Sequence, residues 1–93
     1  MEVQHKSEGS KGMFSYEKGG KVLAEMTYSM AGKTRMIIDH THVEDELRGQ
    51  KAGLQLLHKA VEYARENALE ILPLCPFAAA MFKKHEEIQD VLR

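Results

Sequence analysis

The most constraining stretch of this 93-residue chain runs from Ile37 to Gly53, I-I-D-H-T-H-V-E-D-E-L-R-G-Q-K-A-G. It opens as an apolar, β-branched segment, passes through three acids and enters a basic loop holding Gly49 and Gly53. Beyond it Leu54, Leu57, Val61, Ala64 and Ala68 recur at spacings of three and four, which predicts one buried face of a long helix. A strand that delivers a loop to a helix N-terminus suits an anion. The first helical amides have no internal acceptors, and the aligned peptide dipoles favour negative charge there. Arg48, Gly49, Gln50, Lys51, Ala52 and Gly53 form the candidate loop. Its glycines allow close backbone approach, and Arg48 and Lys51 add positive charge. The plain alternative is a basic, solvated turn that starts a helix.

Upstream of this stretch the chain reads as strands and turns. Glu2–Lys6 alternates weakly, and S-E-G-S-K-G is a loop by composition. Met13–Tyr16 is a short strand candidate, Lys18–Lys21 a hairpin turn through its Gly-Gly pair, Lys21–Met30 a longer strand and Thr34–Val43 the next. Short turns between them imply an antiparallel meander. Glu44, Asp45 and Glu46 precede the helix, where acids complement its dipole, and Asn67 is the expected left-handed residue at its end. Glu70–Cys75 follows as a strand that should lie parallel to Ile37–Val43 through a crossover helix. Pro73 marks it as an edge strand or a broken ladder. Pro76 suits the first turn of a short helix with Phe77, Ala80 and Met81 inward, and Ile88, Val91 and Leu92 dock the tail or leave it frayed.

The expected fold class is therefore mixed α/β, a single domain over residues 1–93. About five strands, mostly antiparallel with one parallel pair, would carry one long and one short helix. A formal net charge of −1 gives no general attraction to polyanions, so nucleic acid is not expected as a partner. The longest apolar run, Phe77–Phe82, is too short to cross a bilayer, and the first residues lack the apolar core of a signal peptide. One cysteine, Cys75, excludes an intrachain disulfide and fits a reducing, cytosolic setting.

Two residues with useful chemistry fall at the carboxyl ends of the parallel strands, His40 and Cys75, at the edge where the 48–53 loop opens. Helix N-terminal amides before Pro76 would stabilise a thiolate at Cys75, making it a candidate nucleophile; otherwise it is a buried strand-end cysteine. His40 is a candidate general base toward an amine or toward Cys75; otherwise it is a strand histidine hydrogen-bonded to backbone or Asp39. His42 shares its parity. His40, His42 and Cys75 offer no fourth zinc ligand, so no metal is expected.

R-G-Q-K-A-G, with I-D-H-T before it and E-Y-A-R-E-N and P-L-C-P-F after it, resembles the GNAT superfamily of acetyl-CoA-dependent N-acetyltransferases, in its very small single-domain form. The likeness spans roughly residues 22 to 92. In the family's pyrophosphate motif, Q/R-x-x-G-x-G/A, Arg48 takes the first position and Gly53 the last, while Lys51 replaces the middle glycine. That lysine either obstructs close approach or pairs with a phosphate. The resemblance implies acetyl-CoA or coenzyme A as cofactor, splayed strands around the pantetheine with Ile38 and Leu74 as neighbours, and the acetyl group near His40 and Cys75. It implies transfer to an amine or another small nucleophile, direct or through Cys75. It also implies that the helices and late strands on which fuller members build acceptor specificity are missing. A non-catalytic coenzyme A binding or sensing module, or a protein-interaction domain, is the alternative. The acceptor, an amine or a protein, is unspecified, and the expected state is a monomer or weak dimer.

Overall fold

A computed structural model describes residues 1–93. Five strands form one sheet in sequence order, β1 (Gln4–Glu8), β2 (Lys11–Lys18), β3 (Lys21–Ala31), β4 (Arg35–Val43) and β5 (Glu70–Pro73). The first four are antiparallel neighbours, and β5 lies parallel to β4. Helix α1 (Ala52–Glu66) makes the crossover and α2 (Pro76–Lys84) follows β5. The expected mixed α/β fold with one parallel pair is the one observed.

The β2–β3 turn fixes the register of the meander. Gly19 and Gly20 both have positive φ, 62° and 80°, the geometry a tight two-residue hairpin needs and only glycine adopts without strain. Alternation then sends Phe14, Met26, Tyr28, Met36 and Ile38 to one face, where they form a single core with Leu56, Leu57, Ala60, Val61, Ala78 and Phe82 of the helices. Both crossovers, β4 to β5 and β5 to the tail, run in the same direction, so right-handedness puts both helices on that face. The molecule is accordingly two layers deep, 20 Å along its shortest axis.

Several boundaries differ from expectation. The inward face of α1 is Ala52, Gly53, Leu56, Leu57, Ala60, Val61 and Ala64; Leu54 is only half-buried, and Ala68 lies past the helix and is exposed. Ala68, not Asn67, takes the left-handed conformation (φ 54°). Asn67 gives both its amide and its side-chain nitrogen to the Tyr63 carbonyl, at 3.1 and 2.9 Å, so the chain turns one residue later and the Leu69 amide returns to the Ala64 carbonyl at 2.8 Å. The three acids do not sit in the first turn of α1. Asp45 and Glu46 open a separate 3-10 turn, Asp45–Leu47, which buries Leu47. In α2 it is Ala78 and Phe82 that are buried, while Ala80 faces solvent. The tail docks through Ile88 and Val91, and Leu92 adds a parallel bridge to Ile71 on the outer edge of β5.

Candidate active site

The 48–53 loop leaves donors unspent. Gln50 donates its amide to the Leu47 carbonyl at 3.1 Å and Arg48 to Asp45 at 3.0 Å, but Gly49, Lys51, Ala52, Gly53 and Leu54 find no main-chain acceptor. Gly49 (φ 84°) and Lys51 (φ 55°) are left-handed, while Gln50 between them is not. Such sign alternation is a backbone pattern from which anion-binding concavities are built, and here it runs into the N-terminus of α1. Lys51 thus keeps the conformation that a glycine would supply at this motif position. The Arg48 guanidinium reaches only Asp45, 3.0 Å away with both side chains in solvent, a weak tether.

The two loop glycines serve different ends. At Gly49 a Cβ would meet nothing within 4 Å, so backbone conformation alone requires glycine there. At Gly53 a Cβ would stand 2.6 Å from Cζ of Phe77, so its absence lets α2 close on α1. Beside that contact lies a cleft of about 210 Å³ lined by Lys51, Gly53, Leu54, Phe77, Met81, Lys84 and His85, a mix of apolar and basic side chains.

A single extra residue in β4 decides which side chains meet the parallel pair. Tyr28 is opposite Ile38 and Thr27 is opposite His40, leaving Asp39 as a bulge. Ser29 Oγ donates to Asp39 Oδ2 at 2.8 Å and pins it. Parity inverts across the bulge. Thr41, opposite the buried Met26, therefore joins Ile38 on the helix-covered face, while His40 and His42, opposite Thr27 and Glu25, stand on the open one. His40 is exposed and makes no side-chain hydrogen bond. His42 Nε2 lies 2.6 Å from Glu44 Oε2, and this contact holds the Glu44 carboxyl below the usual carboxylate range.

At the same level β4 and β5 separate. Their pairing runs from Arg35–Glu70 to Ile38–Pro73, and the amides of Leu74 and Cys75 both end on the Ile38 carbonyl at 3.1 Å. From Asp39 onward no strand lies along this edge of β4. Pro73, with no amide to give, closes the ladder. Cys75 caps α2, is 4% exposed, and its Sγ donates across the gap to Thr41 Oγ1 at 3.3 Å.

The structure thus brings Cys75 to Thr41 and sets His40 on the opposite face of β4, so the two expected chemical residues do not touch. The Ile38 side chain is wholly buried and offers the gap only its backbone, whereas Leu74 is 62% exposed at the gap's mouth. Thr41 was not singled out from sequence. Its signal was the threonine of I-D-H-T, masked because the bulge reverses the alternation and turns this half-buried residue inward. No group of three or more His, Cys, Asp or Glu side chains is placed to hold a metal ion, and no helix is long and apolar enough to cross a membrane.

Comparison with known proteins follows the same lines. The family model described as GCN5-related N-acetyl-transferase matches residues 13–91. The NMR solution structure of a GCN5-like protein from Staphylococcus aureus is 40% identical, with 97% of this chain and 87% of that one covered at a TM-score of 0.74. A Clostridium acetobutylicum protein assigned as an acetyltransferase and solved with acetyl-CoA shares the fold at 15% identity and TM-score 0.65, with 81% of this chain and 56% of that one covered. Tetrahymena GCN5 does so at 16% identity and TM-score 0.65, and the chain covers 51% of its length. No curated protein matches the chain. A motif-bearing loop, a strand pair that parts beyond it and a family match over most of the length agree: the chain belongs to the GCN5-related N-acetyltransferase family.

Proposed function

We propose that the protein binds acetyl-CoA with its 48–53 loop and its parted strands, and passes the acetyl group to an amine with His40 as general base. Family membership brings acetyl-CoA as cofactor and acyl transfer as reaction class. When bound, the cofactor supplies an activated acyl group on a thioester. The amides of Gly49, Lys51, Ala52 and Gly53 suit a pyrophosphate, and Lys51 and Lys84, which line the adjoining cleft, add positive charge. Leu74 flanks the gap through which a thin arm reaches the level of the bulge.

One observation carries the catalytic reading: β4 presents His40 to the open face at the level where β4 and β5 separate. A nucleophile arriving on that face meets an exposed imidazole able to take its proton, while the cofactor reaches the gap from the helical side. Direct transfer fits this arrangement better than a relay through Cys75. The thiol is buried, committed to Thr41 and turned from His40. A residue-resolved NMR titration with coenzyme A tests the binding half, with shifts expected at Gly49, Lys51 and Gly53. Release of coenzyme A from acetyl-CoA over a panel of primary amines tests the transfer half. Unmoved loop amides would overturn the reading.

A further inference from the structure

Among the polar side chains at the strand gap, Thr41 has a donor still to place. Thr41 Oγ1 accepts from Cys75 Sγ at 3.3 Å, and its own hydroxyl proton goes to no protein acceptor. A hydroxyl has one proton and two lone pairs; with the thiol donating into one lone pair, the proton is turned away from the sulfur. Thr41 is half-buried, opposite the fully buried Met26 and beside the fully buried Ile38. A donor in so apolar a setting acts more strongly on developing charge than one in water.

We propose that Thr41 is a catalytic residue whose hydroxyl, oriented by the Cys75 thiol, donates to the carbonyl oxygen of the acyl group being transferred. This rests on the reading that acetyl-CoA enters the β4–β5 gap. In the transfer the amine lone pair forms the new C–N bond, the C–S bond breaks with its electrons passing to the coenzyme A sulfur, and the amine proton passes to His40. Negative charge gathers on the carbonyl oxygen meanwhile, and Thr41 meets it from the helical face while His40 works from the open one. Cys75 then orients the hydroxyl and is not the nucleophile.

The deciding measurement is the ¹³C chemical shift of acetyl-CoA labelled at its acetyl carbonyl, bound to the wild type, Thr41→Val and Thr41→Ser. A hydrogen bond to the carbonyl should move the resonance downfield in the wild type and Thr41→Ser, and Thr41→Val should lose that shift. With an amine that turns over, Thr41→Val should lower kcat on the order of 10²-fold, Thr41→Ser should restore most of it, and calorimetric affinity for coenzyme A, which carries no acyl group, should hold in all three. An identical carbonyl shift in wild type and Thr41→Val, or a wild-type kcat in Thr41→Val, overturns the role of Thr41 and leaves cofactor binding standing. Failure of the wild type to bind coenzyme A overturns both.

Discussion

The ring of Phe77 occupies the space that a side chain at Gly53 would need, with Cζ 2.6 Å from the position of the missing Cβ. Gly53 is fixed in the first turn of α1, so it is the half-buried Phe77 ring, at the first turn of α2, that must swing aside to admit a Cβ. Gly53→Ala should therefore destabilise by about 1–3 kcal/mol through overpacking. Gly49→Ala should cost about 1–2 kcal/mol for its left-handed backbone alone. The two are separable in urea unfolding by adding Phe77→Leu, which should rescue Gly53→Ala and leave Gly49→Ala unrelieved.

Lys51 holds a left-handed conformation that a side chain resists, so Lys51→Gly should stabilise the fold by about 1 kcal/mol. Its effect on the cofactor should run the other way, weakening coenzyme A binding through the lost ammonium. Thermal unfolding paired with calorimetric titration reads both; a glycine variant that bound coenzyme A more tightly would show that the lysine obstructs.

His40→Gln should lower kcat by about 10²–10⁴-fold with little change in the affinity for coenzyme A, since the residue sits on the face away from the loop. Steady-state rates with a reactive amine check this. A variant retaining wild-type kcat would remove His40 from the mechanism.

The N-terminal strand makes stability depend on pH. The His5 ring stacks on Phe14 at 4.3 Å, meets Tyr63 edge-on at 4.5 Å and shares a 2.6 Å hydrogen bond with the Tyr28 hydroxyl. Burial of the ring lowers its pKa from the ordinary 6.5, although part of the residue stays in water. Below pH 6.5 the unfolded chain takes up a proton that the native state excludes, so stability falls on acidification until the lowered native pKa is passed. Urea midpoints at pH 7.5 and pH 5 should differ more for the wild type than for His5→Phe.

Much of this was legible beforehand. The Gly19–Gly20 turn, the period change after Lys51 and the proline of β5 each have a local cause, and each predicted its element correctly. Asn67 misled because its side chain competes for the carbonyl its own amide uses, a contest invisible in a list of preferences. The inward residues of α1 were shifted toward Leu56 and Ala60 because the start of the helix was right but its rotation depends on what it packs against. Within the site, loop and strand ends were readable, but the sidedness of His40 and Thr41 was not. Alternation assumes an unbroken register, and whether Asp39 pairs or bulges is settled by Ser29 and the opposing strand.

The sheet is clad by helices on one side only, and this has a consequence for what the protein accepts. In the proposed transfer the acceptor amine comes to His40 from that uncovered face, so a free polyamine and an amine on a macromolecular surface would share one approach. Selectivity then resides in chemistry at the bare surface or in whatever other molecule settles upon it.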